Sequence, residues 1–139
     1  MALATVLAFT GAEAWPCRGP FRPFAENARA ADLVFIGKLV AVRDIGPVPN
    51  LATSRVVELH FDVETRFKGS APGRVVLRSN TSTCGYGLAE VGQRHLMLAR
   101  GPSRETSAVS GNQLLTTTAE GEAVSRELRA ALGEVDGGR

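Results

Sequence analysis

Val57-Glu58-Leu59-His60-Phe61-Asp62-Val63-Glu64-Thr65-Arg66-Phe67 is the stretch that decides the fold. Val57, Leu59, Phe61, Val63 and Phe67 alternate with Glu58, His60, Asp62, Glu64 and Arg66. A period of two is that of a half-buried antiparallel strand, with one side-chain row on a core and the other in water. His60, Asp62 and Glu64 then share the wet face. A solvated face accounts for them, because no further histidine or cysteine stands at ligand spacing, and no metal is expected.

On the C-terminal side, Lys68 to Gly73 has the composition of a turn and Arg74 to Arg78 that of a short strand. Asn80 to Gly87 is polar and glycine-containing around Cys84. Arg94 to Ala99 makes a fourth strand, Gly101 to Arg104 a turn, and Leu114 to Thr118 a fifth strand. Glu120 to Leu132 is an amphipathic helix with Val124, Leu128, Ala131 and Leu132 on one stripe. Gly133 to Arg139 is a tail expected to fray.

On the N-terminal side, Asp44 to Thr53 contains Gly46, Pro47 and Pro49 and is expected to be a loop. Leu33 to Val42 is an apolar run interrupted only by Gly37 and Lys38, a strand with a bend or bulge at the glycine. Phe24 to Asp32 has strong helix formers and neither Gly nor Pro, the composition of a short helix. Trp15 to Pro23 is proline-rich and irregular. Short strands joined by Gly/Pro turns, then a terminal helix, imply a mostly β domain. A five-stranded OB-type barrel with a short N-terminal helix and a C-terminal helix fits the count. A sandwich fits nearly as well from pattern alone.

The 139 residues suffice for one domain, and 44% apolar residues suffice for a core. The net charge is only +2, with the charges scattered along the chain. That argues against a nucleic-acid grip, as does the single Tyr and single Trp, too few for a stacking platform. No stretch approaches the ~20 apolar residues of a membrane-spanning helix. The start, Met1 to Ala14, is apolar from Ala2 to Phe9 and ends in Ala12-Glu13-Ala14, the small-x-small form of a signal peptidase site before Trp15. It lacks a basic beginning, and an N-terminal strand or helix is the competing reading. Export would place the chain outside the cytoplasm, secreted or periplasmic. The domain is then 15 to 132, with 133 to 139 as tail.

Catalytic signatures are missing: there is no Gly-x-Ser-x-Gly, no His-Glu-x-x-His, no phosphate-binding glycine loop and no Cys-x-x-Cys. His95 has no acidic partner in the sequence pattern. The expectation is a binding module with neither catalysis nor cofactor. Asn80-Thr81-Ser82 is a formal glycosylation sequon, of a kind that arises by chance. Cys17 and Cys84 are the two cysteines. In a cytosolic protein they would be buried thiols; after export they read as one disulfide. It would close a loop of about 67 residues, worth roughly 4 kcal/mol in the chain-entropy model.

Four segments together resemble the netrin-like fold of the tissue inhibitors of metalloproteinases, and more closely its bacterial relatives. They are Cys17 followed at family spacing by Ala31-Asp32-Leu33-Val34-Phe35-Ile36-Gly37-Lys38, then Phe61 to Gly69 ending in Phe-Lys-Gly. Next come Thr83-Cys84-Gly85-Tyr86 with the strand Val91 to Ala99, and finally Leu114-Leu115-Thr116-Thr117. The resemblance covers about residues 17 to 132. It implies an OB-type barrel, a bridge between Cys17 and Cys84, and a protein partner such as a zinc metalloprotease. The inhibitory edge it implies comprises Cys17, Arg18, Thr83 and Gly85. The sequence departs from the inhibitors at Gly19, where the family has a second cysteine. Cleavage before Trp15 would also leave the Cys17 nitrogen an amide, a poor zinc ligand. A binding module therefore stands ahead of a protease inhibitor.

Overall fold

The computed structural model describes residues 23–70, 72–107 and 110–133. The leader-like residues 1–14, the proline-rich residues up to 22, which include Cys17 and Arg18, and the tail 134–139 lie outside the described residues. The elements run α1 (Phe24–Ala30), β1 (Leu33–Val48), β2 (Leu51–Lys68), β3 (Arg74–Asn80), β4 (Arg94–Ala99), β5 (Gln113–Leu115) and α2 (Thr118–Leu132). The strands form one antiparallel sheet of five in the order β3-β2-β1-β4-β5.

The alternation over Val57–Val63 holds. Val57, Leu59 and Phe61 are buried, Val63 packs against the same cluster, and the intervening Glu58, His60 and Asp62 lie half-buried on the other face. The register then breaks. Gly37 pairs with Val63 and Ile36 with Thr65, so Glu64 is left unmatched. Such a bulge inverts the faces beyond it. Phe67, expected in the row of Phe61, instead packs on the opposite face, with Arg129 of α2 over its ring at 5.7 Å. The expected irregularity at Gly37 coincides with this break. A Cβ there would collide with the Asp62 carbonyl at 2.6 Å.

The loop expected at 44–53 is not a loop. β1 and β2 continue past each other to Val48 and Leu51, and only Pro49 and Asn50 turn the chain. Asn50 takes the left-handed conformation (φ 66), which Asn tolerates better than most residues. Further register shifts at Asp44/Gly46 and Pro47/Val48 absorb the glycine and proline. The fifth strand is shorter than expected, because Thr116 and Thr117 cap α2. The Thr117 hydroxyl accepts from Glu120 N at 3.1 Å, and Glu120 Oε1 accepts from the Thr116 and Thr117 amides at 2.7 and 3.2 Å. This is a capping box.

Two apolar clusters share the middle of the sheet. One holds Leu33, Phe35, Leu39, Val57, Leu59, Phe61, Val75, Leu77, Met97 and Ala99. The other lies between the opposite face and the helices, with Val34, Ile36, Leu96, Leu98 and Leu115 against Ala28, Val124 and Leu128. Glu122, Arg126 and Arg129 of α2 are exposed, as the helical stripe requires. No strand ladder joins the edge strands β3 and β5 among the described residues, so the sheet does not close by strand pairing into the expected barrel. A one-residue clasp lies at Glu105, which bridges to both Arg78 of β3 and Arg100 after β4. Arg78 N donates to Arg104 O at 2.9 Å, Thr106 N to Arg78 O at 3.0 Å, and Arg100 and Glu105 exchange two bonds of 2.9 Å.

Candidate interaction edge

The segments singled out in the sequence meet in pairs. Asp32 Oδ2 accepts from Gly101 N at 2.7 Å, and Lys68 Nζ donates to Arg29 O at 2.6 Å. The Gly69 backbone, at φ +85, lies so close to Asp32 that no side chain fits. The turn after β2 is thus locked to the entry of β1.

The corner after β3 is built on Ser79 and Asn80. The buried Ser79 hydroxyl donates to Thr106 O at 2.8 Å and accepts from Tyr86 N at 2.7 Å. Asn80 Oδ1 accepts from Ser82 N at 2.9 Å and from Ser82 Oγ at 2.5 Å, while Asn80 O accepts from Gly87 N at 2.9 Å. The side-chain oxygen of Asn80 is therefore used inside the turn. Gly85 N donates to Ser82 O at 2.9 Å and Cys84 N to Ser82 Oγ at 3.3 Å. A Cβ on Gly85 would overlap the Asn80 carbonyl and side chain, and one on Gly87 would sit 2.6 Å from Asn80 O. Neither glycine has positive φ. They are needed for close approach, not for an unusual backbone.

Of the residues expected at the edge, Thr83 is exposed on this corner and Gly85 is packed into it. Cys84 stands between them, and there is no free cysteine among the described residues. Cys17 and Arg18 lie outside the described residues, so their juxtaposition with Thr83 and Gly85 belongs to the proposal below.

Beside the corner is a recess of about 270 Å³ lined by Gly85, Tyr86, Leu88, Ala89, Gln93, His95 and Leu114. His95 is 2% exposed, and its Nδ1 lies 2.8 Å from the Tyr86 hydroxyl. Its ring meets Tyr86 and Phe61 edge-on, with centroids 5.4 and 6.0 Å apart. Burial pushes the Tyr86 phenol up to about 12 and holds His95 below its ordinary value. At neutral pH both groups are uncharged and share one hydrogen bond. His95 Nε2 is buried without a partner, a desolvation cost of ~1–3 kcal/mol. Around the recess the surface turns apolar: Leu88 is 76% and Leu114 43% exposed, and Val91 nearby in sequence is 59% exposed. The sequence pattern did not yield the Tyr86–His95 pair. Its only signal was a histidine next to an apolar run.

His60, Asp62 and Glu64 do not converge. Asp62 pairs with Arg74 at 2.6 Å and Glu64 with Arg94 at 2.8 Å, while His60 Nε2 lies 3.4 Å from Glu58. No group of three metal-ligating side chains occurs among the described residues, and no helix there is long and apolar enough to cross a membrane. Comparison with family models and with curated proteins finds no match to this chain.

Proposed function

We propose that the chain is an exported, non-catalytic binding module with a netrin-like, OB-type fold, and that it meets a protein partner through the corner Thr83–Leu88. The observation that carries this reading is a rigid turn set beside exposed aliphatic side chains. Hydrogen bonds to Ser79, Asn80 and Ser82 fix the corner, and Leu88 stands 76% exposed at its end. A preorganised edge loses little entropy on binding, and an exposed apolar cluster with polar surroundings is the usual mark of a contact surface. The Glu105 clasp supports the barrel reading, since it ties the edge strand β3 to the chain leaving β4 through one residue. A bridge between Cys17 and Cys84 would place the proline-rich segment on the same corner.

The test is capture from the extracytoplasmic fraction by the oxidised protein and by its Leu88→Asp variant. A protein held by the wild type and lost by the variant supports the edge; equal retention by both removes it. Inhibition of a zinc metalloprotease is the narrower version, favoured by the exposure of Thr83 beside Cys84. Titration against a panel of zinc proteases, with no loss of activity at micromolar protein, would sink it.

A further inference from the structure

The Glu105 clasp sets three charged side chains in a row. Bridge partners in a sheet project to the same side, so Arg78, Glu105 and Arg100 are neighbours. The face is the outer one. Along β3, Val75, Leu77 and Ser79 are buried while Arg74, Val76 and Arg78 point outward, and in β2 Val56 lies out of the row of Val57 and Leu59. These side chains line a cleft of about 460 Å³ together with Val48, Asn80, Ser107 and Ser110. The volume lies within the range of small-molecule sites.

The charges in this cleft are unspent. The ion pairs among the described residues use Arg43, Arg55, Arg74, Arg94 and His60 as their basic partners. Arg78 and Arg100 belong to none of them, and neither guanidinium lies within ion-pair distance of Glu105. Glu58, opposite Arg78 on β2, is paired with Arg43 at 3.6 Å, so within the cleft's own lining one carboxylate and two arginines leave one net positive charge. The wall beside them is apolar, from the half-buried Val48 and Val56.

The geometry points to a second binding site, independent of the Tyr86–Leu88 corner. It takes a monoanionic carboxylate carried on an aliphatic body, as at the C-terminus of a peptide ending in a branched apolar residue. The guanidiniums of Arg78 and Arg100 hold the carboxylate, in the planar fork geometry that suits it. The aliphatic body lies on Val48 and Val56. A phosphate dianion fits less well, because one net charge leaves it half-compensated beside Glu105.

The probe is N-acetyl-leucine, titrated into the full chain while backbone amide resonances are followed. Saturable shifts at Arg78, Arg100, Glu105 and Thr106 are expected, with none from N-acetyl-leucinamide at the same concentrations. Arg78→Gln with Arg100→Gln should weaken binding about tenfold or more. The clasp uses only backbone atoms of these residues, so it should survive. Glu105→Gln should tighten binding by removing the competing carboxylate, which a merely structural role would not do. Absence of saturable shifts in the wild type, equal binding of the neutral amide, equal or tighter binding of inorganic phosphate, or Glu105→Gln binding more weakly would each overturn the site. None of these outcomes bears on the Leu88 capture experiment.

Discussion

The two apolar clusters differ in how they are enclosed. The cluster around Phe61 is walled by residues of four strands and has a polar pair, Tyr86 and His95, at one end. The cluster around Leu128 is a sheet face roofed by two helices. β1 and β4 feed both. Leu96 and Leu98 face the helices while Met97 and Ala99 face the strands, so both strands lose their alternation and read as continuous apolar runs. β2 has mostly one buried face and keeps its alternation. Strand burial on both sides is thus a property of position in the sheet, visible as pattern loss.

This contrast can be broken by mutation. Phe61→Ala should cost ~3–5 kcal/mol in urea unfolding, and Leu128→Ala ~2–4 kcal/mol, since both side chains are fully buried. If the two clusters belong to one cooperative unit, fluorescence and far-ultraviolet circular dichroism give one midpoint in each variant. Separate midpoints for Leu128→Ala would show the helical roof melting by itself.

Gly85→Ala probes the corner that opens beside the strand-walled cluster. A methyl group there meets the Asn80 carbonyl, and overpacking costs ~1–3 kcal/mol. Gly73→Ala has open space and serves as the control. On the helical side, Thr117→Ala removes one half of the capping box and should cost ~0.5–2 kcal/mol in the same assay.

The smallest effect separates the clusters by pH. Burial holds His95 below the usual imidazole value, so the unfolded chain binds a proton that the folded chain refuses. Its contribution is complete above about pH 6.5, the unfolded value, and is lost as pH falls from there through the lowered folded value. Asp44 and Glu120, held low by Arg55 and by Thr116 respectively, act only in the more acid carboxylate range. His95→Leu should remove the decline between pH 6.5 and 5; a decline of unchanged size in that variant would assign it elsewhere.

What the sequence revealed depended on whether local chemistry and tertiary position agreed. The strand at Val57–Val63 and the α2 stripe were legible because their periodicities match their burial, and β4 because an unbroken apolar run matches burial on both faces. Asp44 to Thr53 was misread because Gly46, Pro47 and Pro49 are breakers in isolation. In a two-stranded ribbon with bulges, a residue without an N–H is tolerated. Thr116 and Thr117 looked like strand because they are β-branched, yet Glu120 three residues after Thr117 makes them a cap. At the candidate edge, Thr83 and Gly85 were picked out by family resemblance. Tyr86 and His95 are nine residues apart with a turn between them, and only the return of the chain into β4 brings them together. Leu114 is placed near them by pairing of β5 with β4, which no short-range pattern encodes.

The one-residue clasp at Glu105 has a bearing on self-association. It occupies the outer backbone of β3 at Arg78 alone, with the alternate positions Arg74 and Val76 beyond its reach. Val76 is 37% exposed there, and Arg74, paired with Asp62, supplies the charge that discourages a second strand from docking. A chain in which the 100–106 turn has let go would offer β3 whole. Concentrated protein held under such conditions should then pair edge to edge, giving dimers whose seam is β3 against β3.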